Sequence, residues 1–312
     1  MNNFIEYFYN IKVSKVLYNN KYYSFVYNDY NYRLYIYYND RDINHLYDIN
    51  KKLIGNTLMS EIIVNRNNEV ISHYNDSSYI LIKIFANIDK RISLDEISLL
   101  SKSLYREGIN VNWGALWSYK IDYLENLINE NGKKYPLIVD SFNYFIGMAE
   151  NAISYFNSII LDKNYKYVIC HKVIRLDDKV DVLYNPLNIT FDYRVRDIAE
   201  YIKNSFFNNN YNIFNELINY LQNNYLSLME VKLLVSRLIY PSFYFDMYED
   251  ILIDNKEEKI LLNIISKLDK YEEFLGNVIS FLKTYYDIDE IGWLKKRDLS
   301  LHLLPLWFRV SH

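Results

Sequence analysis

The chain has 312 residues, a formal net charge of −4 and a hydrophobic share of 50%. That length accommodates two domains or lobes, and that apolar share supplies a large core. The near balance of charge excludes the basic surplus of a nucleic-acid-binding surface.

The first residues, MNNFIEYFYN, have no basic region followed by an apolar stretch, so no signal peptide is expected. No run approaches the length of about 18 uninterrupted apolar residues that a membrane span needs, so none is expected either. Residues 15–38, KVLYNNKYYSFVYNDYNYRLYIYY, carry aromatic and β-branched residues broken by YNN and YNDYN, which reads as a three-stranded meander. Residues 40–54 place Ile43, Leu46, Tyr47, Ile49, Leu53 and Ile54 at helical spacing, with Gly55 as a stop. SEIIVN and SYILIKIF follow as two strands separated by the turn-rich RNNEVISHYNDS. The first 86 residues therefore read β-β-β-α-β-β.

The pattern then changes, and the lobe boundary is expected in FANIDKRIS, residues 85–93. Ser93 and Glu96 form a capping-box pattern ahead of a helix that Gly108 can end. Residues 113–130 and 140–161 read as helices, with Trp113 and Trp117 on one core-facing side and Gly147, Met148 and Ala149 allowing close helix packing. Residues 167–191 break into short strands and loops. From RDIAEYIK onward the chain is helical nearly to its end. Ile213, Phe214, Leu217, Ile218 and Leu221 form one apolar stripe, Ser227 and Glu230 cap a helix stopped before Pro241, and residues 257–286 form one long or two shorter helices.

The 34 tyrosines sit mostly among Asn and Asp, and Gly (7) and Pro (4) are scarce. This is the usage of AT-rich codons, and the rings read as half-buried packing. The single cysteine, Cys170, follows an apolar run and reads as a buried structural thiol, so no disulfide forms within the chain.

The resulting class is α+β. A small β-rich N-lobe with one helix (1–86) precedes a larger, mainly helical C-lobe (87–312) with a central hairpin, which is the bilobal protein-kinase-like arrangement. Phosphoryl transfer on such a scaffold needs a phosphate-covering loop, a strand lysine fixed by a helix glutamate, an aspartate base, and an Asn and Asp for magnesium. No glycine occurs before Gly55. The third strand, YRLYIYY, has no lysine; its one cation is Arg33, read as a solvated edge residue or a phosphate ligand. The following helix has no glutamate. In YVICHKVIRLDDKVDVLYN, His171 sits where a loop histidine supports the backbone, but the base position is Val173. Asp178 stands at the magnesium Asn position and reads equally as a hairpin turn. The second metal position falls on Asp192 or on Asn185, depending on the direction of counting. Asp197 reads either as the buried aspartate that ties down the catalytic loop or as an acid favoured at a helix N-terminus.

WGALWSYKIDYLE (113–125), SFNYFIGMAENAISY (141–155), CHKVI (170–174), FDYRVRDIAEYIK (191–203) and SRLIYPSFYFDMYED (236–250) resemble, in family order, the spore-coat-associated kinase-like proteins of endospore-forming Firmicutes. These are of the YutH and CotS types, related to aminoglycoside and choline phosphotransferases. The resemblance implies a phosphotransferase-like fold, a place in the sporulating cytoplasm and then the spore coat, and coat proteins as partners. By it, His171 matches the family's loop histidine and Asp197 its structural aspartate, whereas Val173 departs from the aspartate of active phosphotransferases. The expectation is a pseudokinase scaffold without a cofactor. The alternative is a divergent phosphotransferase acting on a small hydroxylated molecule or a coat protein, with ATP and Mg2+ as cofactors and Asp178 and Asp192 as metal ligands.

Overall fold

Two Asn-Asp turns set up the N-terminal sheet. Strands β1 (Leu17–Tyr18), β2 (Tyr22–Tyr27), β3 (Tyr30–Tyr37), β4 (Glu61–Ile63), β5 (Ser72–Tyr74) and β6 (Ser77–Ile84) pair antiparallel in the order β1-β2-β3-β6-β4, with β5 also on β6. The β2–β3 hairpin turns on Asn28 (φ 47°) and Asp29 (φ 64°), and the β5–β6 hairpin on Asn75 (φ 46°) and Asp76 (φ 59°). Two consecutive residues with positive φ make the tight turn whose twist matches that of the strands, and Asn and Asp tolerate it. Residues 1–19, 21–38, 42–131, 134–174, 179–210 and 212–294 are described by this computed structural model.

β6 is central and buries Tyr79, Ile80, Leu81, Ile82 and Ile84, which explains its consecutive apolar residues from Tyr79 to Ile82. The sequence reading did not include a helix at the N-terminus. Helix α1 (Asn2–Tyr9) packs Phe4, Ile5 and Tyr9 against Phe25, Tyr32, Leu34 and Leu81 of the sheet, and Ser72 Oγ donates to Tyr9 Oη at 3.0 Å. Helix α2 (Ile43–Leu53) starts at Asp42, whose carboxylate accepts from Asn44 N and His45 N, both at 3.1 Å. The fully buried Asn50 of α2 donates to Ser60 O at 2.7 Å and accepts from Ile62 N at 3.0 Å, which bolts the helix to β4.

Helix α3 (Leu94–Ser101) is capped by Ser93 but stops well before Gly108. The hydroxyls of Ser101 and Ser103 bond the carbonyls of Ser98 and Leu100, closing the helix early, and strand β7 (Tyr105–Arg106) follows. A second sheet runs β7-β8-β9, with β8 at Tyr167–His171 and β9 at Ile189–Asp192. By contacts the chain divides into one unit of Met1–Glu107 plus Lys166–Asp197, and another of Gly108–Tyr165 plus Ile198 onward. The first unit also takes in residues 94–107 and the second sheet. It does so because α3 packs on β8 and β7 pairs with it.

In the helical unit, α4 (Trp113–Asn131) and α5 (Pro136–Asn157) meet at Gly114. A Cβ there would lie 2.5 Å from Asn157 Oδ1 and 3.1 Å from Phe156, so the close approach belongs to Gly114 and not to Gly147, whose surroundings are open. Trp113 and Trp117 are buried together as expected, with Trp117 stacked on Tyr240 at 4.3 Å and Arg237 lying 4.6 Å above the Trp113 ring. α8 (Ile213–Asn223), α9 (Leu228–Ile239), α10 (Ser242–Asp254), α11 (Leu262–Ile265) and α12 (Leu268–Lys283) complete the unit. α9 carries the full Ser227–Glu230 capping box.

The helix α7 (Val195–Phe207) spans the division between units, and its later turns carry a buried ionic cluster. Glu200 Oε1 pairs with Lys203 Nζ and Arg237 Nε, each at 2.9 Å, and Glu200 Oε2 accepts from Ser242 Oγ at 2.8 Å. Burial would raise the Glu200 carboxyl, but Lys203 and Arg237 beside it hold it down at about 2. Burial pulls Lys203 down to about 8 against the attraction of Glu200.

Candidate phosphotransfer site

The site lies within the sheet unit, where β8 and β9 deliver their ends to the same loop. β8 is buried along its whole length, and its register pairs His171 with Ile189 and Val168 with Asp192. Between the strands come the short helix α6 (Val180–Leu183) and a 3-10 turn at Pro186–Asn188. This stretch is tied down from outside: Val180 N donates to Lys90 O, Ser60 N donates to Tyr184 O, both at 2.8 Å, and Tyr184 Oη donates to Glu96 Oε2 at 2.9 Å.

His171 is the anchor. Its Nε2 lies 2.8 Å from Leu183 O, its Nδ1 lies 2.6 Å from Asp197 Oδ2, and its backbone N–H donates to Asp197 Oδ1 at 3.1 Å. A carbonyl only accepts, so Nε2 carries a hydrogen. The contact with Asp197 then needs a second hydrogen, held between ring and carboxyl. Both groups are buried, so this bond is worth far more than an exposed pair of the same length. Asp197 in the first turn of α7 is therefore more than an acid beside a helix dipole: it fixes the backbone and the ring of His171 together.

Val173, two residues on, is 45% exposed. Asn188 holds its backbone: Asn188 Nδ2 donates to Val173 O at 3.0 Å, Val173 N to Asn188 Oδ1 at 3.4 Å, and Lys172 N to Asn188 O at 2.8 Å. The backbone is thus held at Val173, whose side chain has no lone pair and no charge.

Arg33 and Tyr35 alternate onto the same side of β3 and reach this loop. Arg33 lies on an interior strand of the sheet, between β2 and β6, and forms an ion pair with the buried Asp181 of α6 while standing 4.5 Å over the Tyr22 ring. It is neither a solvated edge residue nor fixed by α2. Asn185 Nδ2 donates to Tyr35 Oη at 3.1 Å. Burial pushes the Tyr35 hydroxyl up to about 12, against the pull of the Arg33 guanidinium, so it stays a neutral phenol at physiological pH.

Asp192 is buried at the end of β9. Its Oδ1 accepts from Tyr193 N at 2.7 Å and its Oδ2 pairs with Arg196, so protein donors already engage both oxygens. Asp178 lies outside the described residues. Among the described residues, no three His, Cys, Asp or Glu side chains come together to hold a metal ion. A pocket of about 630 Å³ beside Val173 is lined by Lys21, Arg33, Lys179 and Asp181 with Asn185 and Asn188, so Asp181 is its one carboxylate among the described residues. Among the described residues this lining offers a metal no carboxylate beyond the Arg33-paired Asp181, whereas a magnesium–ATP site needs carboxylate oxygens for the metal.

The sequence reading missed Asp181, Tyr35 and Asn188. The i, i+2 spacing of Arg33 and Tyr35 was a usable signal, since strand alternation puts both on one face. Nothing local marks Asp181 as the partner of Arg33.

Residues 2–278 match the family described as "Spore coat putative kinase YutH". The endospore coat-associated protein YutH of Bacillus subtilis (strain 168) is 28% identical over an alignment of 209 positions, which covers 59% of this chain and 61% of that protein. Among solved structures, an aminoglycoside phosphotransferase from Alicyclobacillus acidocaldarius superposes with a TM-score of 0.64 at 10% identity, over 88% of this chain and 94% of that one. The spectinomycin phosphotransferase APH(9)-Ia bound to AMP gives 0.56 at 10% identity, over 96% and 98%. At such identities the likeness establishes the α+β, kinase-like fold and nothing about substrates. No helix among the described residues is long and apolar enough to cross a membrane.

Proposed function

The chain belongs to the YutH family of spore coat proteins, and on that footing we propose that it is a pseudokinase: a kinase-like scaffold that acts through protein contacts in the spore coat or during its assembly. The observation that carries this reading is Val173, an apolar side chain at the base position of a loop that is otherwise held in place by His171, Asp197 and Asn188. General-base catalysis contributes about 10²–10⁴ in rate, and valine offers none of it. Two further features agree. Arg33 is committed to Asp181, and Tyr35 to Asn185, at the positions where a phosphotransferase would keep a phosphate-binding cation and a metal ligand free. We read Asn185 as the occupant of the second metal position, because Asp192 is sealed into β9 by Arg196 and Tyr193. Localisation to the coat, and coat proteins as partners, follow from family membership as parts of the same reading.

The test is genetic complementation in a spore former lacking its own copy. The wild-type chain and Asn185→Ala should restore coat assembly equally, because no transfer chemistry is needed. Restoration by the wild type and failure by a folded Asn185→Ala variant would refute the scaffold reading.

A further inference from the structure

The pocket beside Val173 has a charge pattern opposite to that of a metal–nucleotide site. Among the described residues, three cations, Lys21, Arg33 and Lys179, line it against one carboxylate, and that carboxylate is already paired with Arg33. Lys21 and Lys179 have no ion-pair partner among the described residues, so the pocket holds an uncompensated positive charge in a space large enough for a chain of phosphates. The side-chain amides of Asn185 and Asn188 line the same space. In metal-dependent transfer the phosphate charge is met by magnesium held on carboxylates. Here the chain itself supplies the countercharge, and lysine ammonium groups bind phosphate as point charges without any metal.

From this we infer that the pocket takes a di- or triphosphate group without a divalent metal: Lys21 and Lys179 replace the metal's charge, while Arg33 stays paired with Asp181. The chemistry is common to a nucleotide tail and a free polyphosphate chain. The inference rests on the scaffold reading only in that nothing is transferred. Phosphoryl transfer would refute that reading, while metal-free binding stands or falls on a separate titration.

The experiment is isothermal titration of the full chain with tripolyphosphate, ATP and adenosine, each in EDTA and again in excess Mg2+. Tripolyphosphate and ATP should bind in EDTA, adenosine should not, and the tighter of the two anions identifies the source. Affinity should fall as salt rises, since the contacts are between charges at a solvent-open site. Lys21→Gln/Lys179→Gln, neither of which changes a buried residue, should weaken binding about tenfold or more, as expected for lost charge-assisted contacts. Failure of both anions to bind in EDTA, binding that appears only with Mg2+, adenosine binding as tightly as ATP, or an unchanged affinity in the folded double variant would each overturn the inference.

Discussion

Asp197 holds His171 at two points, taking the backbone N–H with one carboxylate oxygen at 3.1 Å and facing Nδ1 with the other at 2.6 Å. The loop that follows His171 therefore has a fixed origin. The tie sets the direction in which the chain leaves the buried strand β8, whose last residue is His171.

Asp197→Ala should cost about 2–5 kcal/mol, because it leaves two buried hydrogen-bonding groups of His171 without a partner. Asp197→Asn should cost much less, because an amide still accepts from the His171 N–H and can donate to Nδ1 of the neutral ring. Urea unfolding of the two variants checks this. Equal losses would show that the amide replaces neither bond, and a loss below about 1 kcal/mol in the alanine variant would contradict the account.

Asn50 makes the equivalent tie between α2 and β4, serving Ser60 O and Ile62 N at once. Asn50→Ala orphans one buried acceptor and one buried donor and should cost about 2–4 kcal/mol. Asn50→Asp should not rescue it at neutral pH, because a carboxylate cannot donate to Ser60 O. A stable Asp variant in the same denaturation measurement would mean that the Ser60 bond contributes nothing.

The Glu200 cluster predicts a particular acid response. Glu200 titrates at 4.5 in an unfolded chain and at about 2 in the fold, held down by Lys203 and Arg237 against the opposing effect of burial. Its contribution is therefore complete above pH 4.5 and disappears as pH falls towards 2. Lys203 behaves in the opposite way: its folded value of about 8 lies below its ordinary 10.5, so its charge costs stability below pH 8 and the cost is relieved between 8 and 10.5. The stability difference between wild type and Glu200→Gln should shrink by roughly 2–3 kcal/mol across the acid window. A difference that stays constant from pH 5 to pH 2 would contradict the pairing.

Much of the sheet was legible because its turns are chemical signals. Asn28-Asp29 lies between apolar runs and adopts the backbone that Asn and Asp tolerate. The capping residues Ser93 and Ser227 were legible for the same reason: a short hydroxyl satisfies a local N–H. Helix α1 was not, since no side chain caps it and its order comes from packing Phe4 and Ile5 on the sheet, contacts that no local window contains. β5 was hidden because its three residues, Ser72, His73 and Tyr74, sit in a stretch rich in turn formers. Gly114 was overlooked in favour of Gly147 because which glycine meets a neighbouring helix depends on packing between distant segments. In the site, the two-residue spacing from His171 to Val173 was readable from the sequence alone. The engagement of Arg33 by Asp181 and of Tyr35 by Asn185 required the fold, since each pair joins residues far apart in the chain.

The most direct measurement of the central claim is phosphate transfer from γ-labelled ATP with Mg2+, by the purified full chain, to water, to itself and to coat-protein extract. The account predicts no labelled product above a protein-free control. Sustained turnover by the wild-type chain, abolished by Asp178→Asn or Asp192→Asn, would contradict it.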